Sequence, residues 1–281
     1  MNWEFVREVG LGNFVRRKLA RQFCKRILRR DNSLRLANGF RFPLPRNNKF
    51  ATEAYITRGN VDWGAEELLR QMIEPGGDFL DVGAHIGYYS AVIHDLCRSV
   101  HAFEPDPRNL ALLTKACARL PNVTVVPMAV GDRIGWADFV LADTSAVSHL
   151  AASEGGGGEN DRREKVPLVT VDEYCRLNPL KVTGIKIDVE GSDLSVISGA
   201  RGTFARDQPL ALAEIEWSPA LPEVLAPLGY STFATVRNKV SRKAIFRRID
   251  SVLPPDQTTK MLFLVPHRLI DRFVARCDRG T

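Results

Sequence analysis

Two stretches of this chain place acidic residues where a strand should end. In Gly184-Ile-Lys-Ile-Asp188-Val-Glu190-Gly191 the carboxylates emerge at the carboxyl end of a mostly apolar run. Asp188 and Glu190 are two apart, so an extended strand would present both on one face. Adjacent carboxylates raise one pKa, which suits a general base, and such a pair can also hold a divalent cation. The structural alternative is that Asp188 orients the site while Glu190 caps the next helix through Gly191-Ser192. In Ser99-Val-His-Ala-Phe-Glu104-Pro-Asp106-Pro, Glu104 closes a second short strand. A carboxylate there accepts hydrogen bonds from ribose hydroxyls. Asp106, just ahead of Pro107, reads as a helix cap.

Both stretches converge on Asp78-Phe-Leu-Asp81-Val-Gly83-Ala84-His85-Ile-Gly87-Tyr-Tyr-Ser90. Its apolar run reads as a buried parallel strand, and its glycines as a turn into a helix N-terminus. That geometry binds a nucleotide-like ligand at the carboxyl edge of a parallel sheet. A dinucleotide fingerprint needs G-x-G-x-x-G, the middle glycine making room for a pyrophosphate. Here one wide glycine pair follows an acidic strand end, which suits a cationic, phosphate-free ligand such as S-adenosylmethionine (SAM). An NAD-dependent enzyme is the poorer reading. Asp81, Gly83, Ala84, His85, Gly87 and Glu104 are the expected ligand contacts. Ala129 and Val130, at the tip of a third strand over 123–130, would reach an adenine base. His149 and Glu216 are the acceptor-side candidates.

These residues require particular elements around them. A hairpin is expected over 34–44 around Asn38-Gly39, and a helix over 62–74 that ends at Pro75-Gly76-Gly77. Helices are expected over 109–119, 192–204 and 219–228, with strands over 210–215, 230–236 and 261–265. The region 134–171 changes character, with β segments over 136–141 and 166–171 flanking a Gly155–Gly158 run. It reads as an inserted strand pair with a flexible loop, either an acceptor lid or a functionless insertion. The fold class is α/β, a Rossmann-like, mostly parallel doubly wound sheet with a small β insertion and an N-terminal helical arm. The expected division is 1–50 for the arm and hairpin and 51–281 for the sheet domain.

Charge is concentrated in that arm. Residues 1–30 hold nine Lys or Arg against Glu4 and Glu8, a local +7, so the rest of a chain of net charge +6 sums to −1. Phe14, Val15, Leu19, Phe23, Ile27 and Leu28 recur at helical spacing among them. Either this amphipathic helix lies on an anionic membrane or acidic partner, or it packs its apolar stripe on the body and leaves arginines in solvent. No aromatic platform or recognition motif points to nucleic acid. The basic run Arg237–Arg248 reads as a surface for an acidic substrate or membrane, or as a hairpin extension. Five dispersed cysteines argue against a disulfide framework or a structural metal site. With no bilayer-length apolar stretch and no signal-peptide core, the expected location is cytoplasmic, with the arm allowing peripheral membrane contact. Composition leaves the oligomeric state open.

Taken together, Phe79–Ser90, Ala102-Phe-Glu-Pro105, Ala129-Val-Gly-Asp132, Val169–Tyr174, Ile185–Gly191 and Gly199-Ala200 resemble the FkbM-type SAM-dependent methyltransferases. The resemblance covers roughly residues 55–236. It implies a class I Rossmann-like enzyme that methylates a hydroxyl of a sugar, glycan or other natural product, with Asp188 or Glu190 orienting or deprotonating that hydroxyl. The other reading it allows is a SAM-binding or scaffold protein without catalysis at a membrane surface. The family commonly has Asn where this chain has His85.

Overall fold

The computed structural model describes residues 3–141, 149–150, 162–241 and 243–277. Contacts divide the chain into two compact units, Met1–Glu67 and Leu68–Thr281.

In the first unit, helices α1 (Trp3–Val9) and α2 (Leu11–Arg26) precede an antiparallel hairpin, β1 (Asn32–Arg35) with β2 (Arg41–Leu44), and then helix α3 (Lys49–Thr57). The Asn48 side chain caps α3, accepting from the Ala51 N–H at 2.8 Å. Phe14 of α2 joins Val6 and Ile56 in a small core. Beside it the helix packs through arginines. Arg21 is fully buried and donates to Asn32 Oδ1 at 2.7 Å and to the Leu44 and Pro45 carbonyls at 3.1 and 2.7 Å. Arg17 donates to the Ile56 carbonyl. Leu11, Val15, Leu19, Phe23, Ile27 and Leu28 are exposed. This overturns the expectation of an apolar stripe packed on the body with its arginines in solvent. The carbonyls ending the hairpin and α3 give the guanidiniums partners that offset their burial.

Helix α4 (Ala65–Met72) leads into the second unit, whose main sheet is built from β3 (Asp78–Val82), β4 (Ser99–Phe103) and β5 (Val123–Val126), then β10 (Val182–Ile187) and β11 (Leu210–Ala213). It is completed by β12 (Tyr230–Asn238), β13 (Ala244–Arg248), β14 (Gln257–Thr258) and β15 (Leu262–Pro266). Their order is β13-β12-β15-β11-β10-β3-β4-β5, with β14 on β12. The five strands from β11 to β5 are parallel, and β15 lies antiparallel between β11 and β12. Every residue of β3, β10 and β11 is buried, as strands covered on both faces require. The intervening helices are α5 (Tyr88–Ile93), α6 (Pro107–Cys117), α7 (Val171–Leu177), α8 (Asp193–Ser198), α9 (Arg201–Asp207) and α10 (Ala220–Leu225), with α11 (Ile270–Cys277) last. This is the doubly wound, Rossmann-like sheet read from the sequence.

Two expectations change. The strand expected over 123–130 breaks after Val126, and β6 (Ala129–Val130) joins a separate sheet with β7 (Gly135–Leu141), β8 (His149–Leu150) and β9 (Arg162–Val169), ordered β6-β9-β7-β8. Pro127 has no N–H to continue the ladder, so the chain changes sheets there. The helix expected over 192–204 becomes α8 and α9, broken at Gly199-Ala200. Within the basic run Arg237–Arg248, Arg237 and Asn238 end β12 and Ala244–Arg248 form its antiparallel partner β13, in keeping with the hairpin-extension reading. The Gly155–Gly158 run lies outside the described residues.

Candidate active site at the carboxyl ends of the parallel strands

The register brings the sequence-selected groups to one edge. Val82 ends β3 beside Phe103 of β4 and Ile187 of β10. The next residues close the edge: the Gly83 and Ala84 N–H groups donate to the Phe103 carbonyl at 3.1 and 2.8 Å, and the Asp188 N–H donates to the Val82 carbonyl at 3.0 Å. Glu104 therefore leaves β4 on one side of the glycine turn and Asp188 leaves β10 on the other. With strands about 4.8 Å apart, the two carboxylates begin from backbones about 10 Å apart.

Gly83 is required by the protein itself. Its φ is +77°, and a Cβ there would lie 1.8 Å from the Asp188 carbonyl oxygen. Gly87, at φ +84°, leaves room for Leu113 and Cys117 of α6 instead of for a ligand. Between them His85 also takes a left-handed conformation, φ 52°. Asn and His are among the few side chains that tolerate that region, so His85 keeps the turn. Burial, with Lys186 nearby, pushes the His85 pKa down to about 4, so its imidazole is neutral.

Asp81 stays inside. Its Oδ2 accepts from the Ser90 N–H at 2.8 Å and the Ser90 hydroxyl at 2.6 Å, tying strand to helix. Its Oδ1 makes no hydrogen bond and stands 3.9 Å from Lys186 Nζ. Burial raises its pKa, with Lys186 and Ser90 opposing. Asp81 thus builds the turn and offers a ligand no surface. Lys186, unassigned in the sequence reading, is its counter-charge. The ammonium donates to the Gly83 carbonyl at 2.8 Å, pairs with Asp188 at 3.0 Å and lies 5.6 Å from the Tyr89 ring centroid. Burial opposes its charge, but Asp188 and Asp81 outweigh burial and hold it protonated. One signal for it was available: a lysine inside an otherwise apolar strand must have carboxylate partners.

Asp188 keeps 30% of its side chain exposed. Burial would raise its pKa, yet the Lys186 charge and hydrogen bonds from Lys186 and Glu214 leave it lowered. Glu214, two residues before the expected candidate Glu216, follows directly on β11 and donates its N–H to the Ile187 carbonyl at 2.9 Å. Glu216 lies farther along and is exposed. Glu190 does not continue an extended strand. It has φ 50° and Gly191 follows at φ 91°, so the chain turns sharply and Glu190 is exposed at the strand end. The shared strand face expected for Asp188 and Glu190 therefore does not form.

Glu104 is 5% exposed. Its carboxylate accepts from the His85 N–H at 2.8 Å and the Asp106 N–H at 2.9 Å. Burial outweighs these bonds and pushes its pKa up to about 7. Asp106 caps α6, accepting from the Arg108 N–H at 2.8 Å. Ala129 and Val130 are buried and paired with Leu168 and Val169, so packing consumes the apolar surface expected beside an adenine. The backbone of His149 pairs with Val140; its side chain lies outside the described residues. Among the described residues no group of three or more His, Cys, Asp or Glu is placed to hold a metal ion. Nor is any helix among them long and apolar enough to cross a membrane.

The donor set fits a cationic, phosphate-free ligand. Carboxylates flank the turn, and Lys186, the cation at the turn, is already spent on Asp188 and a backbone carbonyl. A family model described as the methyltransferase FkbM domain matches residues 81–244. A comparison with curated protein sequences finds no match. Among solved structures, the chain is similar to a methyltransferase FkbM from Methylobacillus flagellatus KT, at 16% identity and TM-score 0.43, over 90% of this chain and 60% of that one. It is also similar to precorrin-6y C5,15-methyltransferase from Geobacter metallireducens GS-15, at 14% identity and TM-score 0.40, over 74% and 87% of the two chains. A third is Aeropyrum pernix fibrillarin with natively bound S-adenosyl-L-methionine, at 17% identity and TM-score 0.41, over 72% and 73%. The chain thus spans less than two thirds of the length of the Methylobacillus protein.

Proposed function

The chain belongs to the FkbM methyltransferase family, whose methyl donor is SAM, and we propose that it methylates a hydroxyl oxygen of a sugar, glycan or other natural product. The observation that carries this reading is the placing of two differently tuned carboxylates on either side of the Gly83 turn. Glu104, buried and raised to about 7, is the group to accept from ribose hydroxyls. Asp188, partly exposed and kept ionised by Lys186, is the group to accept from the acceptor hydroxyl and hold it in line.

SAM, when bound, supplies an electrophilic methyl carbon with neutral sulfur as its leaving group, so the protein has only to place an oxygen and remove a proton. Asp188 is a poor proton acceptor because Lys186 lowers its pKa. Glu190, exposed at the same strand end, takes the hydroxyl proton in this reading.

The test uses labelled SAM with the full chain and fractionated glycan, lipid and small-molecule extracts. The expected product is label in an alkali-stable methyl ether. Label confined to alkali-labile esters, or to nitrogen or carbon, would overturn the hydroxyl assignment. Glu190→Gln should lower turnover at least about 100-fold with SAM affinity unchanged, the usual scale of a lost general base. A fully active variant would remove Glu190 from that role.

A further inference from the structure

The exposed face of α2 carries none of the residues assigned to the candidate site. Leu11, Val15, Leu19, Phe23 and Ile27 follow each other every four residues, forming one row along the helix. Leu19 is 64% exposed and Ile27 67%, and the row extends about 24 Å along the axis. By helical geometry Arg16 flanks the row on one side and Lys18 and Arg26 on the other, and all three are exposed. Arg29 and Arg30 follow the helix. The helix is meanwhile held from its other side, by Phe14 in an apolar cluster and by Arg17 and Arg21 on backbone carbonyls. A sequence needing only to cover the hairpin would have turned the leucines inward. This one buries arginine and exposes apolar side chains between cations.

We propose that this face of α2 is a docking surface for an anionic lipid bilayer, lying in the interface plane with the Leu11–Ile27 row inserted among the acyl chains. Charge complementarity selects the occupant. Arg16, Lys18, Arg26, Arg29 and Arg30, all exposed, match a surface of anionic headgroups, with Arg17 and Arg21 turned the other way onto carbonyls, while two copies of the helix meeting face to face would oppose like charges. Neither the methyl donor nor the acceptor enters this argument, so it stands apart from the proposed activity.

The test is sedimentation of the full chain with phosphatidylcholine vesicles and with vesicles in which about a quarter of the lipid is phosphatidylglycerol. Binding to the anionic vesicles should be at least about tenfold tighter, and weaker in about 1 M salt, where the screening length falls to about 3 Å. The double variants Leu19→Glu/Phe23→Glu and Arg16→Glu/Arg26→Glu should each lose at least about tenfold in apparent affinity. Phe23→Ala, which removes apolar area without adding charge, replaces the first should its melting curve show an unfolded arm. Failure of the parent chain to bind anionic vesicles overturns the proposal, as does full binding by the apolar variants. So does a concentration-dependent dimer that Leu19→Glu/Phe23→Glu dissolves with no vesicle binding, which would assign the face to a second copy.

Discussion

A lysine as buried as Lys186 survives in a central strand only where opposite charge offsets the loss of water, and it has Asp188 at 3.0 Å and Asp81 at 3.9 Å. Removing one partner of such a group leaves the others buried and uncompensated. Lys186→Met should therefore cost about 3–5 kcal/mol in urea unfolding, and adding Asp81→Asn should recover part of it. A loss below about 1 kcal/mol would show that the ammonium does not hold the two strand ends together. Glu104 makes a pH prediction in the same neighbourhood. Its folded pKa of about 7 lies above the carboxylate value of 4.5, so folding stability from this group is greatest below 4.5 and declines as pH rises toward 7. Hydroxyl donors favour the ionised form, so SAM affinity should run oppositely, rising to about pH 7 and levelling above it. Calorimetry across that range should show proton release on binding, and Glu104→Gln should flatten the profile. A flat profile in the parent chain would remove Glu104 from the ribose contact.

At the scale of elements, the glycine turn is held by backbone packing. A Cβ on Gly83 meets the Asp188 carbonyl, which belongs to the neighbouring strand end and has little freedom to move. A Cβ on Gly87 meets Leu113 Cδ1 at 2.7 Å and Cys117 Sγ at 3.1 Å, side-chain atoms that can yield. Both positions carry a left-handed strain of about 1–2 kcal/mol for alanine. Gly83→Ala should accordingly lower the melting temperature more than Gly87→Ala and abolish SAM binding, while Gly87→Ala keeps measurable binding. Equal effects would mean that strain alone governs the turn. The same distinction explains what the sequence revealed. The strands β3 and β10 were legible because buried parallel strands read as continuous apolar runs closed by carboxylates. Periodicity found the apolar stripe of α2 but not the side it faces, because nothing local states that Arg21 will meet the carbonyls of Leu44 and Pro45. The break at Pro127 was hidden by apolar residues on both sides. Beyond Asp188 close by in sequence, Lys186 acquires its meaning from Gly83 and Asp81 about 100 residues away, and Glu214 from Asp188 about 26 away, both through register.

At the scale of the molecule, the family match and the folded sheet end in different places. The match stops at residue 244, where β13 begins, yet β15 lies inside the sheet and pairs with β11 and β12. All five residues of β15 are buried, and Phe273 of α11 packs on Phe263 of β15 and Phe233 of β12, with ring centroids 5.5 Å apart in each case. Burial of each large apolar side chain contributes on the order of 1.5–3 kcal/mol. Leu262, Phe263, Leu264, Val265 and Phe273 together therefore approach the ~5–15 kcal/mol by which a whole domain is stable. Cutting the chain after Asp250 also leaves one edge each of β11 and β12 without its backbone partner. That fragment, which still contains the full family match, should show no cooperative melt and should aggregate, whereas a chain ending at Cys277 should melt with the intact protein. Both are read by circular dichroism on heating. A cooperative transition in the shorter fragment, near that of the full chain, would mean that the matched region folds without the strand that stands inside its sheet.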